Sequence, residues 1–320
     1  MILLLVGGFG VGLLLLVKAS DYFVVGSARL ATGLRVSPVF IGVAVIGFGT
    51  SAPELLVSGL AAAQGSTELA IGNVVGSNVA NMTLVLGTAG LLAVVPVRSA
   101  VLRWEAPLSV AAVLAFAVLV PGGLNLVDGV VLLGLLVVAL WLLLRAALAG
   151  KGEMVDAMAG EVAVYVDGTV QHSLRAEVVR TGVGLVGTLA GAQLLVWGAS
   201  GLAARLGVPP EVIGFTLVAI GTSLPELVTA VQAQRHGEPD LLVGNLLGSN
   251  LFNSLAVGAV IGLAGAGSGT TVVPAAQVVV MVVTSLGAWL LLFNQARLTR
   301  WEAGLLLAGY AATLPLVVLQ

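Results

Sequence analysis

Long apolar stretches recur along the whole chain, separated by short joints that hold most of the charged and turn-forming residues. Ten such stretches lie near 1–17, 36–63, 66–94, 105–121, 124–145, 180–203, 208–234, 240–265, 271–293 and 301–319. Each approaches or exceeds the roughly 17 to 25 residues that cross about 30 Å of hydrocarbon as a helix. Helices are expected because backbone groups in lipid must be satisfied internally, and the runs are too long and uniformly apolar for barrel strands. The first stretch lacks a basic start and a convincing small-residue cleavage site, so it reads as a retained span. Composition agrees, with 59% hydrophobic and 9% charged residues and a mean hydropathy of +1.13. There are no cysteines, which excludes disulfides, thiol catalysis and cysteine-ligated metals but leaves the redox compartment open.

The pattern is stated twice. Residues 47–81 return as 219–253 without a gap, 172 positions on, with 15 of 35 positions identical. Gly49, Thr50, Ser51, Pro53 and Glu54 match Gly221, Thr222, Ser223, Pro225 and Glu226. Gly72, Asn73, Gly76, Ser77, Asn78 and Asn81 match Gly244, Asn245, Gly248, Ser249, Asn250 and Asn253. Upstream, Gly26, Pro38 and Gly42 match Gly198, Pro210 and Gly214 at the same offset. The organisation expected is a first five-helix repeat over 1–145, a linker over 146–177 and a second five-helix repeat over 178–320.

Two copies of five spans enter a membrane with opposite orientations, so their basic residues should reverse phase. Placing the amino terminus outside collects Lys18, Arg29, Arg35, Arg98, Arg103, Arg145, Lys151, Arg175, Arg180, Arg235, Arg297 and Arg300 on the cytoplasmic side and leaves only Arg205 outside. That is the positive-inside bias of a multi-pass protein in the cell (inner) membrane, with both termini outside and the linker cytoplasmic. Within the linker, 162–170 alternates around Asp167-Gly168, a fair hairpin signal, although the segment reads chiefly as a tether.

The repeated polar residues carry the chemistry. Pro53 has no amide to donate and clashes with the preceding turn, so the second span should break and free carbonyls around Gly49. Those carbonyls, the hydroxyls of Thr50 and Ser51 and the Glu54 carboxylate then converge at mid-membrane depth, a ligand set that hard cations prefer. The segment around Pro225 supplies the same set from the opposite side. A charge at the bilayer centre costs at least about 2.5 kcal/mol, so Glu54 and Glu226 must be compensated, and a bound cation or proton is the candidate. Ser77, Ser249, Asn81 and Asn253 read as ligands rather than interhelical glue. Asn73, Asn78, Asn245 and Asn250 read equally as either. Gly72 and Gly76 share a helix face suited to close packing. Glu68 and Asp240 suit helix starts, while Glu105, Asp128 and Glu302, near span ends, are expected to be solvated. His172 and His236 lie in the linker and a loop, outside any buried metal set.

The motif G-T-S-x-P-E followed by G-N-x-x-G-S-N, repeated in inverted halves, resembles the alpha repeats of the calcium/cation antiporter superfamily, and most nearly its sodium/calcium exchanger branch. The resemblance implies an all-α membrane protein of ten transmembrane helices, two inverted five-helix repeats with broken helices 2, 3, 7 and 8 at the centre. It implies calcium ligation by Glu54 and Glu226 with the carbonyls of Thr50 and Thr222. Sodium sites would add Ser51, Ser77, Ser223 and Ser249 with backbone oxygens at Gly47 and Ala219, and Asn81 and Asn253 would take the remaining central positions. Several members carry an aspartate at one of those two positions, so this chain holds two central carboxylates rather than three. Two glutamates neutralise one calcium ion or two sodium ions, and a third sodium would enter uncompensated. Protons can stand in for sodium, since a carboxyl at this depth can be protonated.

The function expected is therefore a secondary antiporter exchanging Ca2+ for Na+ by alternating access. The alternatives are exchange of H+ for Ca2+ or another divalent cation, and, less favoured, a passive cation channel. An enzyme is not expected, because no paired catalytic aspartates or Ser-His arrangement occurs within the spans. The partners are inorganic cations and the lipid bilayer, with no nucleic acid and no cofactor beyond the transported ions. A reporter fused to either terminus should read outside; a cytoplasmic reading at either end would overturn the topology.

Overall fold

Prolines and glycines, rather than polar runs, divide the apolar sequence into its helices. The computed structural model describes residues 2–33, 51–97, 104–148, 173–236, 239–264 and 274–318. Gly47, Thr50, Pro38, Gly42, His172 and the expected hairpin at 162–170 lie outside them.

Helix α1 (Ile2–Gly33) has no internal proline. Helix α2 (Ala52–Ala63) starts where Pro53, at the second helical position, needs no donor. Helix α3 (Thr67–Leu92) follows after a turn at Gly65, whose φ of 80° glycine adopts without strain. A two-residue strand β1 (Val95–Pro96) precedes α4 (Ala106–Leu119) and α5 (Leu126–Leu148). Helix α6 (Leu174–Leu206) stops at Gly207, with φ of 64°, where the Val208 amide returns to the Ala203 carbonyl at 3.1 Å. It begins inside the last four residues of the expected linker. Helix α7 (Pro210–Thr222) meets α8 (Leu224–His236) at a 41° bend. Helix α9 runs through Pro239–Phe252, Asn253–Val257 and Gly258–Ala264. Helix α10 (Ala275–Gln295), strand β2 (Arg297–Leu298) and α11 (Arg300–Val318) complete the described chain, and β2 pairs antiparallel with β1.

Six described helices are long and apolar enough to cross a bilayer, and the bent α7–α8 pair makes a seventh. Of the other expected spans, α2 and α4 form apolar helices of 12 and 14 residues. Helices α3 and α9 are central, with 94% and 89% of their apolar windows buried, against 28% for α5. Both differ from the expected breaks. Each continues through a five-residue π turn, Asn81–Val85 in α3 and Asn253–Val257 in α9, in which the carbonyls of Asn81 and Asn253 accept from the amides of Leu86 and Gly258. Neither has a proline at or near its π turn, the one in α9 being its first residue, Pro239, so one extra residue loosens the ladder without ending it.

Apolar side chains gain little from burial against each other when lipid is the alternative, so close backbone approach joins these helices. Along α1 and α6 the neighbours run in opposite order: Leu5 meets Gly201, Phe9 meets Gly198, Leu16 meets Gly191 and Phe23 meets Gly184. The contacts are reciprocal at the repeat offset. Gly12 faces the Leu195 amide and its match Gly184 faces the amide of Phe23, the match of Leu195. Gly26 faces the Thr181 amide, and its match Gly198 faces the amide of Phe9, the match of Thr181. Gly72 and Gly76 of α3 lie against the carbonyls of Glu211 and Phe215 in α7, so the small face read from their spacing is a packing surface. Helix α11 covers the second half of α3, and α5 covers the matched part of α9.

Two acidic residues expected to be solvated are not. Glu105 is buried, with 2% of its surface exposed. Glu302, 8% exposed, accepts from the amide and hydroxyl of Thr299 while its own amide is capped by that hydroxyl, the reciprocal box that starts α11. Lying beside a span end did not set its exposure; the cap did. Asp128 accepts from the Asn125 amide at the start of α5 and remains partly exposed.

A Cβ added at Gly12 would lie 2.6 Å from the Leu195 amide nitrogen, whereas one at Gly182 meets nothing within 4 Å. Gly12→Ala should lower stability by about 1–3 kcal/mol through overpacking. Gly182→Ala should be neutral or stabilising, since alanine is the better helix former. Thermal unfolding in detergent reads both, and equal effects would show that the α1–α6 contact does not limit stability.

Candidate functional site

Ser51 and Ser223 precede α2 and α8 in nearly the same backbone conformation, with φ and ψ of −88° and 7° and of −85° and 8°. Each opens a helix whose second residue is a proline, so Pro225 offers no amide to the Gly221 carbonyl one turn back. Glu54 and Glu226 follow in the first turns of α2 and α8, where the helix dipole favours negative charge. Both glutamates are fully buried, with 0% exposure.

The two halves interleave here. The Ser223 hydroxyl donates to Glu54 Oε1 at 3.3 Å, so the Glu54 carboxylate lies beside the turn that carries Glu226. The second Glu54 oxygen, Oε2, is buried with no hydrogen-bond partner among the described residues, and no Lys or Arg there pairs with it. The Ser249 hydroxyl donates to Glu226 Oε1 at 3.4 Å.

Around the carboxylates, α3 and α9 contribute an amide network. Thr222 donates to Asn73 Oδ1 at 3.2 Å, Asn73 Nδ2 donates to the Ser58 hydroxyl at 2.9 Å, and Ser58 donates to the Ala70 carbonyl at 3.3 Å. Asn81 Nδ2 donates to Asn250 Oδ1 at 3.0 Å, Asn250 Nδ2 to the Asn78 carbonyl at 3.3 Å, and Asn78 Nδ2 to Ser254 at 3.0 Å. Of the asparagines whose role was open, Asn73, Asn78 and Asn250 thus link helices directly. Asn81 does so through its nitrogen, while its Oδ1 has no partner among the described residues. The same is true of both side-chain polar atoms of Asn253 and of the hydroxyls of Ser51 and Ser77, all buried. Ala219 is buried in α7, its carbonyl accepting from the Ser223 amide at 3.0 Å.

Hydrogen bonds thus join Glu54 with Ser223, Glu226 with Ser249, and the Thr222 and Asn81 networks, while Ser51, Ser77, Ala219 and Asn253 are buried on the helices, α2, α3, α7 and α9, that carry them. Gly47 and Thr50 lie outside the described residues. Ser58 and Ser254 belong to these networks and were missed. Ser58 sits one turn beyond Glu54, a signal that was available, but its match is Ala230, and that of Ser254 is Met82, so comparing copies hid both. A buried carboxylate pair among hydroxyl, amide and carbonyl oxygens is a donor set for hard cations.

The family model described as sodium/calcium exchanger protein matches residues 4–145 and 177–319. The chain is 38% identical over 248 residues to the putative antiporter CaxA of Alkalimonas amylolytica, covering 77% of this chain and 76% of that one. It is 29% identical to the sodium/calcium exchanger MaX1 of Methanosarcina acetivorans over 95% of both chains. Among solved structures it matches the sodium-calcium exchanger NCX_Mj soaked with Na+ and Sr2+, with a TM-score of 0.63, 33% identity and 98% of each chain covered.

Proposed function

Because the chain belongs to the sodium/calcium exchanger family, we propose that it is a secondary antiporter that exchanges Ca2+ for Na+ across the membrane by alternating access. One observation carries this reading: the fully buried Glu54 carboxylate takes a hydroxyl from the opposite half, and its second oxygen has no hydrogen-bond partner among the described residues.

In this reading Glu54 and Glu226 hold Ca2+ together with the carbonyls of Thr50 and Thr222. Na+ takes overlapping positions at Ser51, Ser77, Ser223 and Ser249, with the carbonyls of Gly47 and Ala219 and with Asn81 and Asn253 nearby. Shared oxygens couple the ions, because both sets cannot be filled at once. A dianionic site holding neither ion resists reorientation, since each state would bury two uncompensated charges. Two inverted five-helix halves and ten spans supply the two access states; the reciprocal glycine contacts between α1 and α6 support that arrangement. The distribution of Arg and Lys supports termini outside and a cytoplasmic linker in the inner membrane.

Calcium uptake into vesicles tests the proposal. An outward Na+ gradient should drive uptake and a pH gradient should not; the reverse would assign coupling to protons, and uptake needing neither would make the protein a channel. Glu54→Gln and Glu226→Gln should each abolish gradient-driven flux while the protein still elutes as a folded species. Flux at the unsubstituted rate in both would remove these carboxylates from the mechanism.

A further inference from the structure

Among the described residues, one packing of helices between the halves is seen on one face and not at its matched place on the other. At the end of α2, Gln64 Nε2 donates to Gln193 Oε1 of α6 at 2.7 Å, and α2 lies packed along α6. The repeat offset of 172 carries Gln64 to His236, the last residue of α8, and Gln193 to Asp21, exposed on α1. Among the described residues, however, α8 is not packed along α1. Its end is drawn instead to the end of α3, where Gln234 Nε2 donates to the Ala93 carbonyl at 2.7 Å. Exposure follows the same asymmetry: Val228 of α8 is 58% exposed, while its match Leu56 on α2 is half-buried. Other packing is matched, since α2 lies on α3 as α8 lies on α9.

We propose that Gln64 and Gln193 form the latch that closes one face of the exchanger, and that Asp21 and His236 form the equivalent latch that closes the opposite face in the alternate state. The inference rests on the alternating-access reading above. In an inverted duplication the second state is reached when each half takes the conformation of the other, so a contact made by one half is exchanged for its match. Asp21 and His236 can pair as carboxylate and imidazole where the first face uses two amides. Release of Gln234 from the Ala93 carbonyl accompanies the movement of α8 towards α1. These four are positioning residues: Gln64, Gln193 and Asp21 are exposed, away from the buried centre, and each of the four acts by holding α2 or α8 against the α1–α6 pair.

The chain has no cysteine, so introduced thiols report without background. Gln64→Cys with Gln193→Cys, and Asp21→Cys with His236→Cys, are reconstituted in vesicles and oxidised. Each pair should cross-link and stop Na+-driven Ca2+ uptake, and reduction should restore it. In the fourfold variant, cross-linking one pair should leave the other two thiols free to a maleimide. Simultaneous cross-linking of both pairs in one molecule would overturn the proposal, as would cross-linking of the first pair with none of the second. Should the cysteine variants not assemble, Asp21→Leu should slow exchange and Asp21→Asn should restore it; equal rates in both would also overturn it. Loss of gradient-driven uptake in the unsubstituted protein would strike the antiport reading instead, since the latches require an exchanging parent.

Discussion

A carboxylate taken out of water costs several kcal/mol unless something of opposite charge or hydrogen-bonding character meets it. Glu54 and Glu226 are fully buried inside a protein whose outer surface carries many large apolar side chains. The rest of the architecture is arranged around meeting that cost. The prolines that follow Ser51 and Ser223 put helix amino termini, with their positive dipole ends, beside the two carboxylates. The hydroxyl that reaches Glu54 comes from the other half, so neither half assembles the site alone.

Bringing two sets of helix ends to one place requires backbones to approach more closely than leucine or valine permits. Gly72 and Gly76 let α3 lie directly on the carbonyls of α7, and Gly214 does the same towards the Leu69 carbonyl. The α1–α6 pair uses the same device along its length, away from the carboxylates. Side chains that fill the interior of a soluble protein are here turned outward, and Val118, Val137 and Val186 lie exposed on α4, α5 and α6. Lipid is an acceptable neighbour for them, which leaves glycine contacts and amide hydrogen bonds to define the interior.

The two copies of the motif share residues but not surroundings. Asn81 is tied to Asn250 through its nitrogen, whereas its match Asn253 has neither polar atom bonded among the described residues. Ser223 donates to the glutamate of the other half, while the Ser51 hydroxyl has no partner among the described residues. Matched sequences thus stand in unequal environments, and among the described residues the packing of α2, but not of α8, along the α1–α6 pair is a further instance.

The sequence by itself determined the helical membrane class, the 172-residue repeat and the proline-marked helix starts that carry the two glutamates, because each rests on local chemistry: hydropathy, a missing amide, a charge without a partner. It also picked out the buried polar centre, since serine, asparagine and glutamate are conspicuous among valine and leucine. Only the tertiary structure decided that helices 3 and 9 of the described chain bulge rather than break, that Glu105 and Glu302 are sheltered, and that Ser58 and Ser254 join the centre. Those outcomes depend on which neighbour occupies the adjoining space, and a neighbour more than a hundred positions away leaves no mark on the local pattern.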